Sequence, residues 1–188
     1  MGGTAYLGDK QVMIVGGKAH AQLTLRTALG VAGIKHVEVL SESRAAIELL
    51  RVERFDAVYI DERAQPFDGM PLYRAVRRVS GMVDPMVPVF MICTSPRRRF
   101  VESLRDQGVT DVIARPTAAG TLLRKLRLAL ELPRAFIKAG DFFGPDRRAG
   151  PRPELFGGVD RRTQRDPLAG SRERSVDHDD DDRDTILI

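Results

Sequence analysis

Over the first 132 residues the apolar side chains switch regularly between two spacings, and that alternation constrains the fold more than any single residue does. Short runs rich in Val, Ile and Leu, at 12–15, 36–40, 57–60, 87–92 and 112–114, read as strands. Each is followed by a segment with apolar residues three and four apart, predicting helices over 20–32, 43–53, 70–79, 98–107 and 118–131. Gly16, Gly17, Gly33, Gly69, Gly81, Gly108 and Pro116 fall where one element hands over to the next. Regular strand–helix alternation implies an α/β fold, a parallel sheet covered on both faces by right-handed crossovers, because that layering hides both sheet faces. One domain over 9–132 has an ordinary domain size.

Asp61 closes the apolar run Asp56-Ala57-Val58-Tyr59-Ile60, which puts a carboxylate at the carboxyl end of a buried strand. That rim is where doubly wound folds place their chemistry. Lys18, Arg115 and the run Arg97, Arg98, Arg99 lie on loops expected around it, so Asp61 has cations at hand for an ion pair. The bland reading makes Asp61 an ordinary turn residue and the cations a solvated surface of small energetic worth.

Much is excluded. One cysteine forbids an internal disulfide or a cysteine zinc site, and Cys93 falls on an apolar strand where packing is its expected role. The three histidines are scattered, no Ser-His-Asp set assembles, and Gly16-Gly17 lacks the further glycines and Lys-Ser/Thr of a phosphate-cradling loop. Catalysis, a resident cofactor and a bound metal are therefore not expected. No apolar run approaches a membrane span and the amino terminus lacks a signal-peptide pattern, so the expected location is the cytoplasm. The formal net charge of +4 allows weak contact with nucleic acid, but no reading motif accompanies it, and sequence-specific nucleic-acid binding is not expected.

Four landmarks give the chain a resemblance to the CheY-like receiver domains of bacterial two-component signalling. The segment from Asp61 to Pro66, Asp68 and Gly69 resembles the family's phosphoacceptor loop. Pro88-Val89-Phe90-Met91-Ile92-Cys93-Thr94 resembles its fourth strand, Arg115-Pro116 its Lys-Pro, and Val12-Met13-Ile14-Val15 its first strand. The resemblance implies a flavodoxin-like five-stranded sheet in the order 2-1-3-4-5. It implies a signalling role, with Asp61 as the phosphoacceptor candidate, a histidine kinase as one partner and homodimerisation as a further expectation. In such domains the surface of the fourth helix, fifth strand and fifth helix commonly meets partners; Arg99, Arg105 and Arg124 are expected there, and an acidic docking partner would suit them.

The departures fall on the chemistry. Gly16 and Gly17 stand where the family has two acidic residues, leaving Asp61 alone of three carboxylates. Magnesium usually takes one or two carboxylates plus phosphate oxygens, and only Glu62 or Asp68 remains to help. Cys93, followed by Thr94, stands for the family's Ser/Thr, Val112 for its mobile aromatic and Arg115 for its Lys. The expected pocket is thus Gly16, Gly17, Lys18, Cys93, Thr94 and Arg115 around Asp61. Either Asp61 still switches by phosphorylation, or the domain is a pseudo-receiver in which a cation such as Lys18 replaces the metal.

From Pro133 the composition shifts to Gly, Pro, Arg and Asp, with 11 basic and 12 acidic residues against 19 and 14 before it. Such a segment buries too little to offset ordering entropy, so 133–188 reads as a largely disordered tail, mobile from about residue 139. It carries an imperfect repeat, Phe143-Gly144-Pro145-Asp146-Arg147-Arg148 and Phe156-Gly157-Gly158-Val159-Asp160-Arg161-Arg162. The first resembles a Gly-Pro-Asp-Arg-Arg extension that follows receiver domains in some alphaproteobacterial signalling proteins. Paired arginines can grip phosphates and guanine edges, which makes Arg147, Arg148, Arg161 and Arg162 candidates for a partner or for cyclic di-GMP. The competing reading has Phe142, Phe143 and Phe156 staple the tail loosely to the domain while the arginines pair with neighbouring Asp.

Overall fold

A computed structural model describes residues 7–65, 69–78, 80–94 and 96–148. Strands β1 (Gln11–Val15), β2 (His36–Leu40), β3 (Ala57–Asp61), β4 (Val89–Thr94) and β5 (Asp111–Arg115) form one parallel sheet in the order β2-β1-β3-β4-β5. Helices α1 (Ala19–Val31), α2 (Ser43–Val52), α3 (Gly69–Arg78), α4 (Arg98–Asp106) and α5 (Ala119–Glu131) alternate with them. The doubly wound α/β architecture expected from the alternation is the one present.

Strand alternation divides the core in two. Met13, Val15, Val58, Ile60, Val89, Met91 and Cys93 point to one side and pack with Leu50, Leu72, Val76 and Leu104 of α2, α3 and α4. Val12, Ile14, Tyr59, Phe90, Ile92 and Ile113 point to the other and pack with Leu25, Leu29, Leu122 and Leu126 of α1 and α5. Tyr59 stacks on Phe90 at 4.9 Å between ring centroids. β3 is buried along its whole length, so the chain can end there with a polar group only at the rim.

Two boundaries differ from expectation. β4 starts at Val89 and runs on to Thr94, where the sequence pattern suggests 87–92. Pro88 cannot donate to the ladder, and its carbonyl instead accepts the Val58 N–H at 2.9 Å, just outside the strand.

The larger difference is beyond α5. Residues expected to open a disordered tail form an antiparallel hairpin, β6 (Phe136–Ala139) and β7 (Phe142–Pro145), turning at Gly140. It lies along α3, where Arg77 sits between two rings, 5.2 Å from the Tyr73 centroid and 5.1 Å from that of Phe136. Gly144 and Gly108 meet backbone to backbone: a Cβ on Gly144 would stand 2.7 Å from the Gly108 Cα. Composition weighs only how much apolar surface a segment carries. This hairpin docks instead by close backbone approach and by covering a buried arginine, which composition does not register. Phe156, Arg161 and Arg162 lie outside the described residues.

Candidate functional site

Asp61 ends β3 at the carboxyl rim of the sheet and is 3% exposed. The Arg63 backbone N–H donates to its Oδ1 at 2.9 Å, a local turn of the kind Asp favours. Arg115 Nη2, from the end of β5, donates to Oδ2 at 2.6 Å and lies 3.4 Å from the Thr94 hydroxyl. Both carboxylate oxygens are thus engaged, one by backbone and one by a guanidinium. The Arg115–Pro116 peptide is cis.

Glycines form the wall opposite. Gly16 and Gly17 both have left-handed backbones, φ 76° and 84°. A Cβ on Gly16 would come within 2.5 Å of the Ala64 Cβ, and one on Gly17 within 2.9 Å of Asp61 Oδ2. These positions lack carboxylates, and their backbone also leaves no room for one.

The neighbours of Asp61 sort by strand parity. Register pairs Asp61 with Ile92 and Thr94 with Arg115, and the Thr94 hydroxyl is the one that reaches Arg115 at the rim. Cys93, one residue earlier, is fully buried among Met91 and Val89 in the other half of the core. Its thiol nevertheless lies within electrostatic reach of Glu62, Asp61 and Arg115, so it borders the pocket from the buried side. Burial, and then the Glu62 carboxylate, push that thiol up to about 12, so it stays protonated at neutral pH. Glu62 Oε1 also accepts the Thr94 backbone N–H at 2.8 Å. Val112 is buried beside them in the core.

Lys18 differs from its expected role. It precedes α1 with an exposed side chain, and among the described residues it forms no ion pair; the cation that meets Asp61 is Arg115. Arg63, whose backbone orients Asp61, was not singled out in the sequence, and Glu62, considered there only as a metal ligand, instead ties β3 to β4. An Asp followed two residues later by an available amide is the signal for the first. Arg147 donates to the carbonyls of Val109 and Thr110, and the Arg148 N–H to Asp146 Oδ1 at 2.8 Å.

The donor set does not fit a magnesium ion. Near-octahedral oxygen coordination would have to start from Asp61, whose Oδ2 carries a guanidinium at 2.6 Å, and from Glu62, whose Oε1 caps Thr94. Among the described residues no three His, Cys, Asp or Glu side chains lie together as a metal group.

A doubly wound α/β domain with a buried aspartate at the rim of β3 defines a class, and the family within it follows from comparison. The family model of the response regulator receiver domain matches residues 12–127, and the chain belongs to that family. Among solved structures it is similar to the receiver domain of sensor histidine kinase PA1611 from Pseudomonas aeruginosa, described with a magnesium ion coordinated in its active-site cleft. The identity is 21% over 63% of this chain and 94% of that one, with a TM-score of 0.56. The chemotaxis response regulator CheY4 of Vibrio cholerae is similar at 23% identity over 63% and 96%, TM-score 0.53. The beryllofluoride-activated NtrC4 receiver domain dimer is similar at 18% over 64% and 96%, TM-score 0.57. Residues 12–127 are thus a CheY-like response regulator receiver domain of two-component signalling. Among the described residues no helix is long and apolar enough to cross a membrane.

Proposed function

We propose that this chain is a metal-poor receiver that signals by docking to protein partners, with Asp61 held in a standing ion pair rather than cycling through metal-assisted phosphorylation. The carrying observation is the Arg115–Asp61 contact at 2.6 Å on a carboxylate that is 3% exposed. With Gly17 against Oδ2 and no carboxylate at 16 or 17, the second acid nearest at hand among the described residues is Glu62, whose Oε1 already accepts the Thr94 N–H, and the guanidinium occupies the Asp61 oxygen a metal would use.

Docking is assigned to the face of α4, β5 and α5. Arg99 and Arg124 are exposed there, and Phe100 is 38% exposed between the arginines of α4. An aromatic with flanking arginines is the composition that interface centres favour, and it suits an acidic partner, a histidine kinase or a second copy. Cyclic di-GMP binding through Arg147, Arg148, Arg161 and Arg162 is a second reading: Arg147 Nη2 is anchored on two carbonyls of its own domain, so only part of that guanidinium is left for a ligand. Phosphorylation of Asp61 remains the competing class.

The two classes separate in one experiment. Incubate the full chain with acetyl phosphate, with and without magnesium, and follow intact mass for wild type and Asp61→Asn. The expected result is no phosphoryl adduct under either condition. A magnesium-dependent adduct that Asp61→Asn abolishes overturns the proposal.

A further inference from the structure

At the end of the sheet opposite Asp61, the docked hairpin forms one wall of an open cavity of about 600 Å3. Its walls are the entries to β3, β4 and β5, the last turns of α5 and the linker and hairpin residues Pro133, Phe136 and Pro145. Six basic side chains line it against three acidic ones. Each acid has a cation of its own: Lys10 meets Asp56 at 3.0 Å, Lys125 meets Asp111 at 2.6 Å and Arg54 stands 3.8 Å from Asp84.

Three arginines from separate segments remain. Arg105 of α4 reaches only the already paired Asp111, at 3.9 Å. Arg134, after α5, makes a long contact of 3.4 Å with the Asp146 carbonyl, and Arg147 donates to the carbonyls of Val109 and Thr110. The neighbouring Arg105 and Arg134 charges, after burial, are what lower the Arg147 pKa, so the three guanidiniums repel across the cavity. Three like charges gathered against the already paired carboxylate of Asp111 oppose the fold, and an anion among them would reverse the sign. Guanidiniums match phosphate oxygens in geometry as well as charge, and the cavity volume is in the range of small-molecule sites, about 300–1,000 Å3.

We propose that this cavity binds a phosphate-bearing small molecule, its phosphate among Arg105, Arg134 and Arg147 and its apolar part against Leu132 and Phe136. The site lies outside the phosphoacceptor rim and does not depend on how Asp61 behaves. Because the linker and hairpin supply Arg134, Phe136 and Arg147, occupancy would fasten the hairpin to the receiver.

The test is an NMR titration of the full chain with inorganic pyrophosphate and, separately, GMP, at constant ionic strength. Saturable shifts are expected at the amides of Thr110, Asp111, Ala135 and Arg147. Arg134→Ala, an exposed residue whose loss leaves the core intact, and Arg105→Gln should each weaken binding about tenfold or more, while Arg99→Ala leaves it unchanged. Shifts that stay linear to about 10 mM for both probes, weaker than a specific site of this kind, overturn the proposal. So does saturable binding that both arginine variants retain in full, or binding that maps to Lys18 and Arg115.

Discussion

At the scale of the residue, the account turns on which groups touch Asp61. Its carboxylate is buried and its Oδ2 leans on Arg115, so removing the guanidinium leaves a charge with a lost partner. Arg115→Ala should lower unfolding stability by about 1.5–3 kcal/mol, the worth of a hydrogen bond to a charged group, read by urea unfolding. Arg115→Lys should recover part of it, since charge is kept while the fork is lost. A variant as stable as wild type would show that the pair is incidental. Restoring the acids missing after β1 should not restore a metal site. Gly16→Asp forces a non-glycine residue into φ 76° with a Cβ 2.5 Å from that of Ala64, so it should cost stability, in the range of about 1–3 kcal/mol for such strain. Cys93, held protonated by burial, should react slowly with a thiol reagent at neutral pH in the native protein and quickly once unfolded. Because the folded thiol titrates above its ordinary value of 9.0, its contribution to stability is complete below pH 9 and is lost as pH rises toward about 12. Fast native labelling would place Cys93 at an open site instead.

At the scale of the element, the hairpin is the part of the molecule that the sequence pattern hid. Its strands are four residues each, and only Gly144 and Pro145 are buried, so neither length nor apolar content announces it. What fixes it is specific: Gly144 against Gly108, Phe136 over Arg77, and the Asp146 N–H donating to the Ala135 carbonyl at 2.7 Å. Gly144→Val should therefore displace the hairpin and expose Arg77, lowering the melting midpoint by a few degrees, about 4–8 °C per kcal/mol for a domain near this size. A midpoint unchanged within error would mean that the hairpin rests on the receiver without stabilising it. The same glycine contact explains why regular structure continues past residue 139 among the described residues. The β4 boundary is a smaller case of the same kind: the apolar run from Val87 is real, but Pro88 denies the ladder a donor, and pairing starts one residue later.

At the scale of the whole molecule, the strand–helix alternation and the placement of Asp61 at a strand end were legible because periodicity and breaker residues encode them directly, while the sheet order followed from the family resemblance. The fine geometry of the rim was not. Spacing brings Arg115, Thr94 and Cys93 to the mouth but also nominates Lys18, whose exposed side chain makes no ion pair among the described residues. The direction in which a loop side chain leaves the backbone is not carried by spacing. The central claim is that the rim holds an ion pair in place of a metal. Its most direct test is a magnesium titration of the full chain, watching the amides of Glu62, Arg63 and Thr94 by NMR. The account predicts no saturable shift at those amides up to several times about 1 mM, the weak end of ordinary divalent sites, while saturation below about 1 mM that Asp61→Asn removes would contradict it.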